Sequence, residues 1–361
     1  MANDRVYNFS AGPSMLPLEV LERAGSEITN YQGSGMSVME MSHRSKVFLK
    51  IFEDTRARLK KLLQVPDGYQ ILFLQGGASA QFSMVPLNLI GKTRKADYAV
   101  TGNFANVACK EAKKYGEISV AASSADRNHT YIPTQEQLTL DPNASYFYYC
   151  ANNTIYGTEW QYVPETNGVP IVCDMSSNIL SRPVDVSKYG IIFAGAQKNM
   201  APAGLTVVII REDLAGNELP YTPLMMNYKT MIEKDSMYNT PPCWCIYMLG
   251  LNLEYLESLG GVEAMEKIKG GKAAMLYDCL DNSRLFTCAA EKGSRSDMNV
   301  TFRSVSEELD AKFVAEATAT GFTNLKGHRS VGGMRASIYN AMPVEGVERL
   351  VDFITAFDKN N

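Results

Sequence analysis

The sequence predicts an α/β fold: a large domain with a mainly parallel sheet flanked by helices, then a smaller α+β C-terminal domain. Three observations carry that expectation. Short apolar or β-branched runs alternate with helix-like stretches through the first two thirds of the chain, the pattern of a mainly parallel sheet. From about Trp244 the pattern changes to longer helical segments with two further strand candidates. The 361 residues, 45% hydrophobic and 20% charged, are more than one small core accounts for.

The strand candidates are "YQILFLQGG", "ADYAVTG", "ISVAA", "SYFYYCAN", "VPIVCDMSS", "GIIFAGAQK" and "GLTVVIIRED". Helices follow at "WCIYMLGLNLEYLESLG" and "GVEAMEKIKGGKAAMLYDCLDN", then a strand "MNVTFRS", a helix "EELDAKFVAEATATG" and a strand around "MRASIYNA". The final helix, "VEGVERLVDFITAF", sets Val347, Leu350, Val351, Ile354 and Phe357 on one face. The expected division is an N-terminal segment over 1–15, a large domain over 16–255 and a small domain over 256–361. No repeat of solenoid period and no low-complexity linker interrupts it.

Composition excludes several classes. The first twenty residues have no basic stretch followed by an apolar run, and no segment approaches the roughly 20 apolar residues of a membrane span, so a cytoplasmic protein is expected. The seven cysteines are odd in number and scattered, and "CWC" lacks CxxC spacing, so neither disulfides nor a metal site is expected. A formal net charge of -4 with no basic run argues against nucleic acid and leaves small, locally bound anions as partners.

Against that acidic background, "GHRSVGGMR" gathers His328, Arg329 and Arg335 in a glycine-rich stretch. The tripeptide "HRS" also occurs at His43, Arg44 and Ser45. An isolated His-Arg is more often a surface or ion-paired feature than a site. With only three histidines in the chain, however, two of them share this tripeptide.

"GIIFAGAQKNMAPAGLTVVII" holds Lys198 in a short loop between two apolar strand candidates, among small residues that leave room for a ligand. A lysine in a dry pocket loses part of its ammonium stability, which frees the amine as a Schiff-base nucleophile. In "VPIVCDMSSN" Asp174 ends the preceding strand candidate, so two strand ends would face one cleft. A pyridoxal phosphate enzyme needs such a lysine for the aldehyde and such a carboxylate for the pyridine nitrogen. The plainer reading makes Asp174 a helix cap. In "LQGGASAQF", Gly76, Gly77, Ala78 and Ser79 open a helix whose backbone N–H groups could meet a phosphate, or merely join strand to helix. The stretch is neither GxGxxG nor a P-loop, so dinucleotide and nucleotide triphosphate readings lose support.

On "FSAGP", "EMSHRS", "GGASAQF", "AQKN", "NTPP" and "GHRSVGGMRASIYNA" the chain resembles the phosphoserine aminotransferases, fold-type I pyridoxal phosphate enzymes, from its first residues to its final helix. The resemblance implies that Lys198 carries the cofactor, Asp174 pairs with the pyridinium nitrogen and Thr154 bonds the phenolic oxygen. It implies cofactor-phosphate contacts from Ala78, Ser79 and Gln197, and from Asn239 and Thr240 of the partner in a homodimer with shared sites. Substrate phosphate would meet His43, Arg44, His328 and Arg329, Arg335 would clamp the α-carboxylate, and Ser10 would assist. Three positions depart from the commonest family pattern. Phe104 stands where many members stack a tryptophan on the ring, Asn153 replaces a frequent glutamate, and Ser79 replaces an arginine of some relatives.

The implied reaction is a reversible ping-pong exchange between glutamate and 3-phosphohydroxypyruvate, giving O-phospho-L-serine and 2-oxoglutarate in serine biosynthesis. The resemblance adds 3-hydroxy-2-oxo-4-phosphooxybutanoate, a substrate of pyridoxine biosynthesis. A dianionic phosphate at one end of the substrate and a carboxylate at the other explain why an acidic protein would gather arginines. The alternative is another fold-type I aminotransferase of the serine or alanine–glyoxylate type, which would have no use for the doubled "HRS".

Overall fold

The computed structural model describes residues 5–361. Seven strands form the central sheet in the order Tyr69–Leu74, Thr206–Arg211, Ile191–Gly195, Ile171–Asp174, Phe147–Cys150, Lys95–Val100 and Glu117–Ser123. Thr206–Arg211 runs antiparallel to both neighbours, and the other adjacent pairs are parallel. The reversal follows from chain length. Only ten residues separate Gly195 from Thr206, and a parallel crossover needs about a dozen or more.

Both faces of the sheet are covered, which is why its strands read as unbroken apolar runs. Ile71, Phe73, Phe147, Tyr149, Cys173 and Ile192 enter one core, which the helices Lys46–Leu62 and Cys243–Ser258 close. Gly250 lets those two helices cross closely, because a Cβ there would stand 2.5 Å from Thr55 Oγ1. Leu72, Leu74, Tyr98, Tyr148, Val172 and Phe193 enter the opposite core, beneath Gly77–Leu89 and Asn103–Ala112.

A third core gathers Phe286, Val300, Phe302, Phe313, Ala336 and Ile338 with Val347, Leu350, Ile354 and Phe357 of the final helix, Val344–Asn360. The helical face expected there is buried except for Val351, which is partly buried. Two-stranded pairings complete this part. Asn299–Phe302 runs antiparallel to Met334–Ser337, and Tyr7–Asn8 runs parallel to Phe322–Thr323. Through Tyr7 and Phe9 the N-terminal segment enters the third core. Of the segment expected over 1–15, residues 1–4 lie outside the described residues.

Two helices precede the first sheet strand, where the sequence reading assigns none. Leu18–Glu27 buries only Val20 and Ala24, too few positions to display a period. Lys46–Leu62 does carry the signal: Phe48, Ile51, Phe52, Thr55, Leu59 and Leu62 line one buried face, and Ser45 accepts the Phe48 N–H at 3.2 Å as N-cap.

Candidate active site

Because six strands are parallel, their C-terminal ends meet along one edge of the sheet, the place where open α/β sheets bind ligands. After Leu74 the chain turns through Gly76 and Gly77, with φ of 92° and 66°, into the helix Gly77–Leu89. A Cβ on Gly76 would stand 2.6 Å from Ala80 Cβ, so the turn requires glycine. The N–H groups of Ala78 and Ser79 lie in the first helical turn, without intrahelical partners. Across from them, a Cβ at Gly195 would meet Gln197 Oε1 at 3.0 Å and Ala78 N at 3.5 Å. A cradle of N–H donors and an amide side chain therefore opens between two strand ends, suited to a phosphate.

Lys198 follows Gly195 in the Gly195-to-Thr206 turn and is half-buried. Its Nζ donates to Thr154 Oγ1 at 2.7 Å and stands 5.0 Å from the centre of the Phe104 ring. Burial lowers the affinity of its amine for a proton, and the Asp174 carboxylate partly opposes that shift. Asp174, 4% exposed, ends the strand alongside. One of its oxygens, Oδ1, accepts both the Ser176 N–H at 2.9 Å and the Ser176 hydroxyl at 2.6 Å. The other oxygen takes no hydrogen bond from the described residues and remains free for a cation. Burial raises the Asp174 pKa, against the pull of Lys198 and the Ser176 bonds. Asp174 thus closes a turn through Ser176 and caps no helix, contrary to the plainer reading, and keeps one oxygen in reserve.

The Asn103–Ala112 helix starts at the end of Lys95–Val100 and presents Phe104, 36% exposed, over the lysine. The amine, an aromatic face, a free carboxylate oxygen and an N–H cradle form a donor set that fits an aldehyde-bearing pyridine with a phosphate arm. Asn153 is buried and bonds Thr101 and Thr158 rather than facing the lysine.

Arg335 approaches from the Met334–Ser337 strand. Its Nη1 donates to the Thr154 carbonyl at 3.4 Å, while its buried Nε has no partner and no carboxylate pairs with it among the described residues. Burial lowers its pKa. His328 and Arg329 lie in the turn before that strand. The imidazole bonds Ser330 Oγ through Nδ1 at 2.7 Å, and partial burial and the two nearby guanidinium groups push its pKa down. Arg329 is exposed, and its side chain bonds none of the described residues.

No hydrogen bond or ion pair joins the first tripeptide to the second among the described residues. Arg44 is exposed, His43 Nε2 is buried without a partner, and neither side chain bonds any described residue. Asn239 and Thr240 are exposed in a loop, where the Thr240 carbonyl accepts Gln75 Nε2 at 3.2 Å. Ser10 accepts the Gly12 N–H at 3.4 Å. A Cβ on Gly12, at φ 149°, would lie 3.3 Å from Lys198 Cγ. Ser14 donates its hydroxyl to the Lys198 carbonyl and its N–H to the Gln197 carbonyl, so the N-terminal segment lies over the lysine turn.

Two residues that sequence reasoning missed matter here. Ser176 anchors Asp174, and "DMSS" carries the Asx-turn signal that points to it. Ser14 ties the N-terminal segment to the lysine turn, and no sequence signal marks it.

Comparison with known proteins matches residues 6–350 to the family "Aminotransferase class-V". A phosphoserine aminotransferase of Desulfotalea psychrophila is 52% identical over 358 residues, covering 99% of each chain. The phosphoserine aminotransferase structure from Bacillus circulans subsp. alkalophilus superposes with a TM-score of 0.97 at 47% identity, covering 99% of each chain. The pyridoxal-phosphate-bound phosphoserine aminotransferase structure from Trichomonas vaginalis gives a TM-score of 0.94 at 41% identity, covering 97% of this chain and 100% of that one. The chain belongs to the class-V aminotransferases, and among them to the phosphoserine aminotransferase family of pyridoxal-phosphate-dependent transaminases.

Proposed function

We propose that the chain catalyses the reversible ping-pong transfer of an amino group between glutamate and 3-phosphohydroxypyruvate, forming O-phospho-L-serine and 2-oxoglutarate. The observation that carries this reading is the placement of Arg335. A half-buried guanidinium with an orphaned Nε and no carboxylate of its own touches Thr154, whose hydroxyl receives the Lys198 amine. An amino acid bound there by its carboxylate lies next to the reacting lysine.

Lys198, Asp174, Thr154, Phe104, Gln197, Ala78 and Ser79 would hold the cofactor in each subunit. Bound, pyridoxal phosphate supplies an electron sink for the carbon that loses its proton. The protein's own groups do the rest. Lys198 takes the α-proton in its neutral form, which burial favours, and Thr154 orients its amine. Asp174 stabilises positive charge opposite its free oxygen. Arg335 fixes the α-carboxylate, and His328 and Arg329 bind the substrate phosphate through charge-assisted hydrogen bonds, with Ser10 assisting.

The reading extends to a cytoplasmic homodimer. His43 and Arg44, whose side chains bond none of the described residues, would complete the phosphate site of a second copy, and Asn239 and Thr240 would reach its cofactor phosphate. Exposed Met36, Met39, Val47 and Tyr238 lie close to these residues in sequence and offer apolar surface for such an interface. The division into a large domain over 16–255 and a small one over 256–361 belongs to the same reading. So does action on 3-hydroxy-2-oxo-4-phosphooxybutanoate in pyridoxine biosynthesis.

The test is a half-reaction. O-phosphoserine added to holoenzyme without a keto acid should convert the cofactor to its amino form, while serine at the same concentration and the Lys198→Ala variant should not. Equal conversion by serine would favour the serine or alanine–glyoxylate type of aminotransferase.

A further inference from the structure

Asn299 is fully buried, and it pairs in register with Ser337 on the strand that carries Arg335. Its Nδ2 donates to Ser337 Oγ at 2.9 Å and to Tyr339 OH at 3.1 Å. Its Oδ1 accepts Asn152 Nδ2 at 2.7 Å. Asn152, 1% exposed, stands two residues before Thr154 in the chain, and its Nδ2 also reaches Ser177 Oγ at 2.8 Å, three residues beyond Asp174. Ser296 closes the ring: its hydroxyl donates to Asn152 Oδ1 at 2.5 Å and accepts the N–H groups of Met298 and Asn299 at 3.0 Å. At the far end Tyr339 OH donates to the Ala11 carbonyl at 2.8 Å, one residue before the glycine that packs on Lys198.

One amide therefore joins the Arg335 strand, the segment leading to Thr154 and, through Tyr339, the N-terminal segment. Every polar group of Asn299 and Asn152 in this chain of bonds has a partner, so the bond directions select one arrangement, where apolar contact would permit sliding. An aliphatic residue at 299 would leave Asn152 short of an acceptor and two hydroxyls without their donor.

We propose that Asn299 is a positioning residue for transamination: its hydrogen bonds hold the Arg335 guanidinium at the working distance from the Lys198 amine. The inference rests on the reading that Arg335 binds the α-carboxylate. Its consequence is specific. Loss of Asn299 impairs recognition of the α-carboxylate and leaves the rest of the ligand's contacts in place.

The test uses 2-methylglutamate and its α-amide, which bind but have no α-hydrogen to lose, titrated into holoenzyme and followed by the cofactor's absorbance. Wild type should prefer the carboxylate by about 30-fold or more, and Arg335→Ala should abolish the preference. Asn299→Ala should cut the preference about tenfold through the carboxylate ligand alone, with cofactor affinity unchanged. Tyr339→Phe keeps the ring and removes the bond from Asn299 together with the one to the Ala11 carbonyl, so it should cut the preference about threefold, and it decides the matter if Asn299→Ala does not fold. If Arg335→Ala keeps the preference, the carboxylate reading and this inference fail together. If Arg335→Ala loses the preference while Asn299→Ala and Tyr339→Phe retain it, or weaken both ligands equally, the positioning role alone is overturned.

Discussion

Among the lysines this molecule draws out of water, Lys198 and Lys272 are held in opposite ways. Lys272, 1% exposed, points its Nζ at the carbonyls of Ile338, Tyr339 and Met342, at 3.0, 2.8 and 2.8 Å. Three protons meet three backbone acceptors, which leaves none spare. Among the described residues Lys198 Nζ has a single neutral acceptor, Thr154 Oγ1, with a phenylalanine face and a carboxylate close by. Burial lowers the pKa of both, that of Lys272 to about 7, so burial alone does not make a nucleophile. Spare hydrogen-bonding capacity and access to a cleft do.

Substitutions can break that comparison. The largest expected effect is Lys198→Ala, which should lower transamination by about a thousandfold or more, since it removes the proposed proton carrier and cofactor attachment. Lys272→Met should leave the same half-reaction running. Next comes Asp174→Ala, expected to slow the half-reaction about a hundredfold by removing the charge proposed to face the ring nitrogen. No variant of the Lys272 neighbours has such a counterpart, because those neighbours are main-chain carbonyls.

Lys272→Met should instead cost stability, about 1–3 kcal/mol by denaturant titration, because buried carbonyls lose their donor. The pH dependence sharpens the point. With its folded pKa near 7, below the ordinary 10.5, the folded chain binds fewer protons at Lys272 than the unfolded chain between those values. The stability of wild type relative to Lys272→Met should therefore rise as pH increases from about 7 toward 10 and stay level below about 7. A difference that fell over that range would contradict the assignment. The smallest effect is expected from Thr154→Val, which deletes only the hydroxyl under Lys198 and should reduce the half-reaction rate less than about tenfold.

Much of the setting of Lys198, the lysine proposed as catalytic, is legible in the sequence, and almost nothing of the setting of Lys272. Lys198 and Asp174 each stand at or just past the end of an apolar run, and runs of that kind are what a buried sheet writes into a chain. The glycine pair at 76 and 77 is legible for the same reason, since a positive φ asks for glycine. Lys272 sits inside a helix among residues of ordinary pattern, and its partners lie about 70 positions away. Asn152, Asn299 and Tyr339 are likewise scattered, joined only by folding. Helix Lys46–Leu62 shows the other kind of miss, since its regular apolar spacing and its serine cap are both present in the sequence. Composition does not mark the antiparallel course of Thr206–Arg211, because a doubly covered strand looks the same in either direction; the ten-residue connection after Gly195 is the signal that does.

The two "HRS" tripeptides make the same point locally. In the first, the serine caps a helix through the Phe48 N–H. In the second, it bonds its own histidine. Identical letters acquire different structures from the residues on their C-terminal side, an apolar helical face in one case and a glycine-rich turn in the other.

The most direct measurement reduces the holoenzyme with borohydride and maps the peptide that carries the pyridoxyl label. The account predicts the label on Lys198 and none on Lys272 or any other lysine. A label elsewhere, or no label at all, would contradict it.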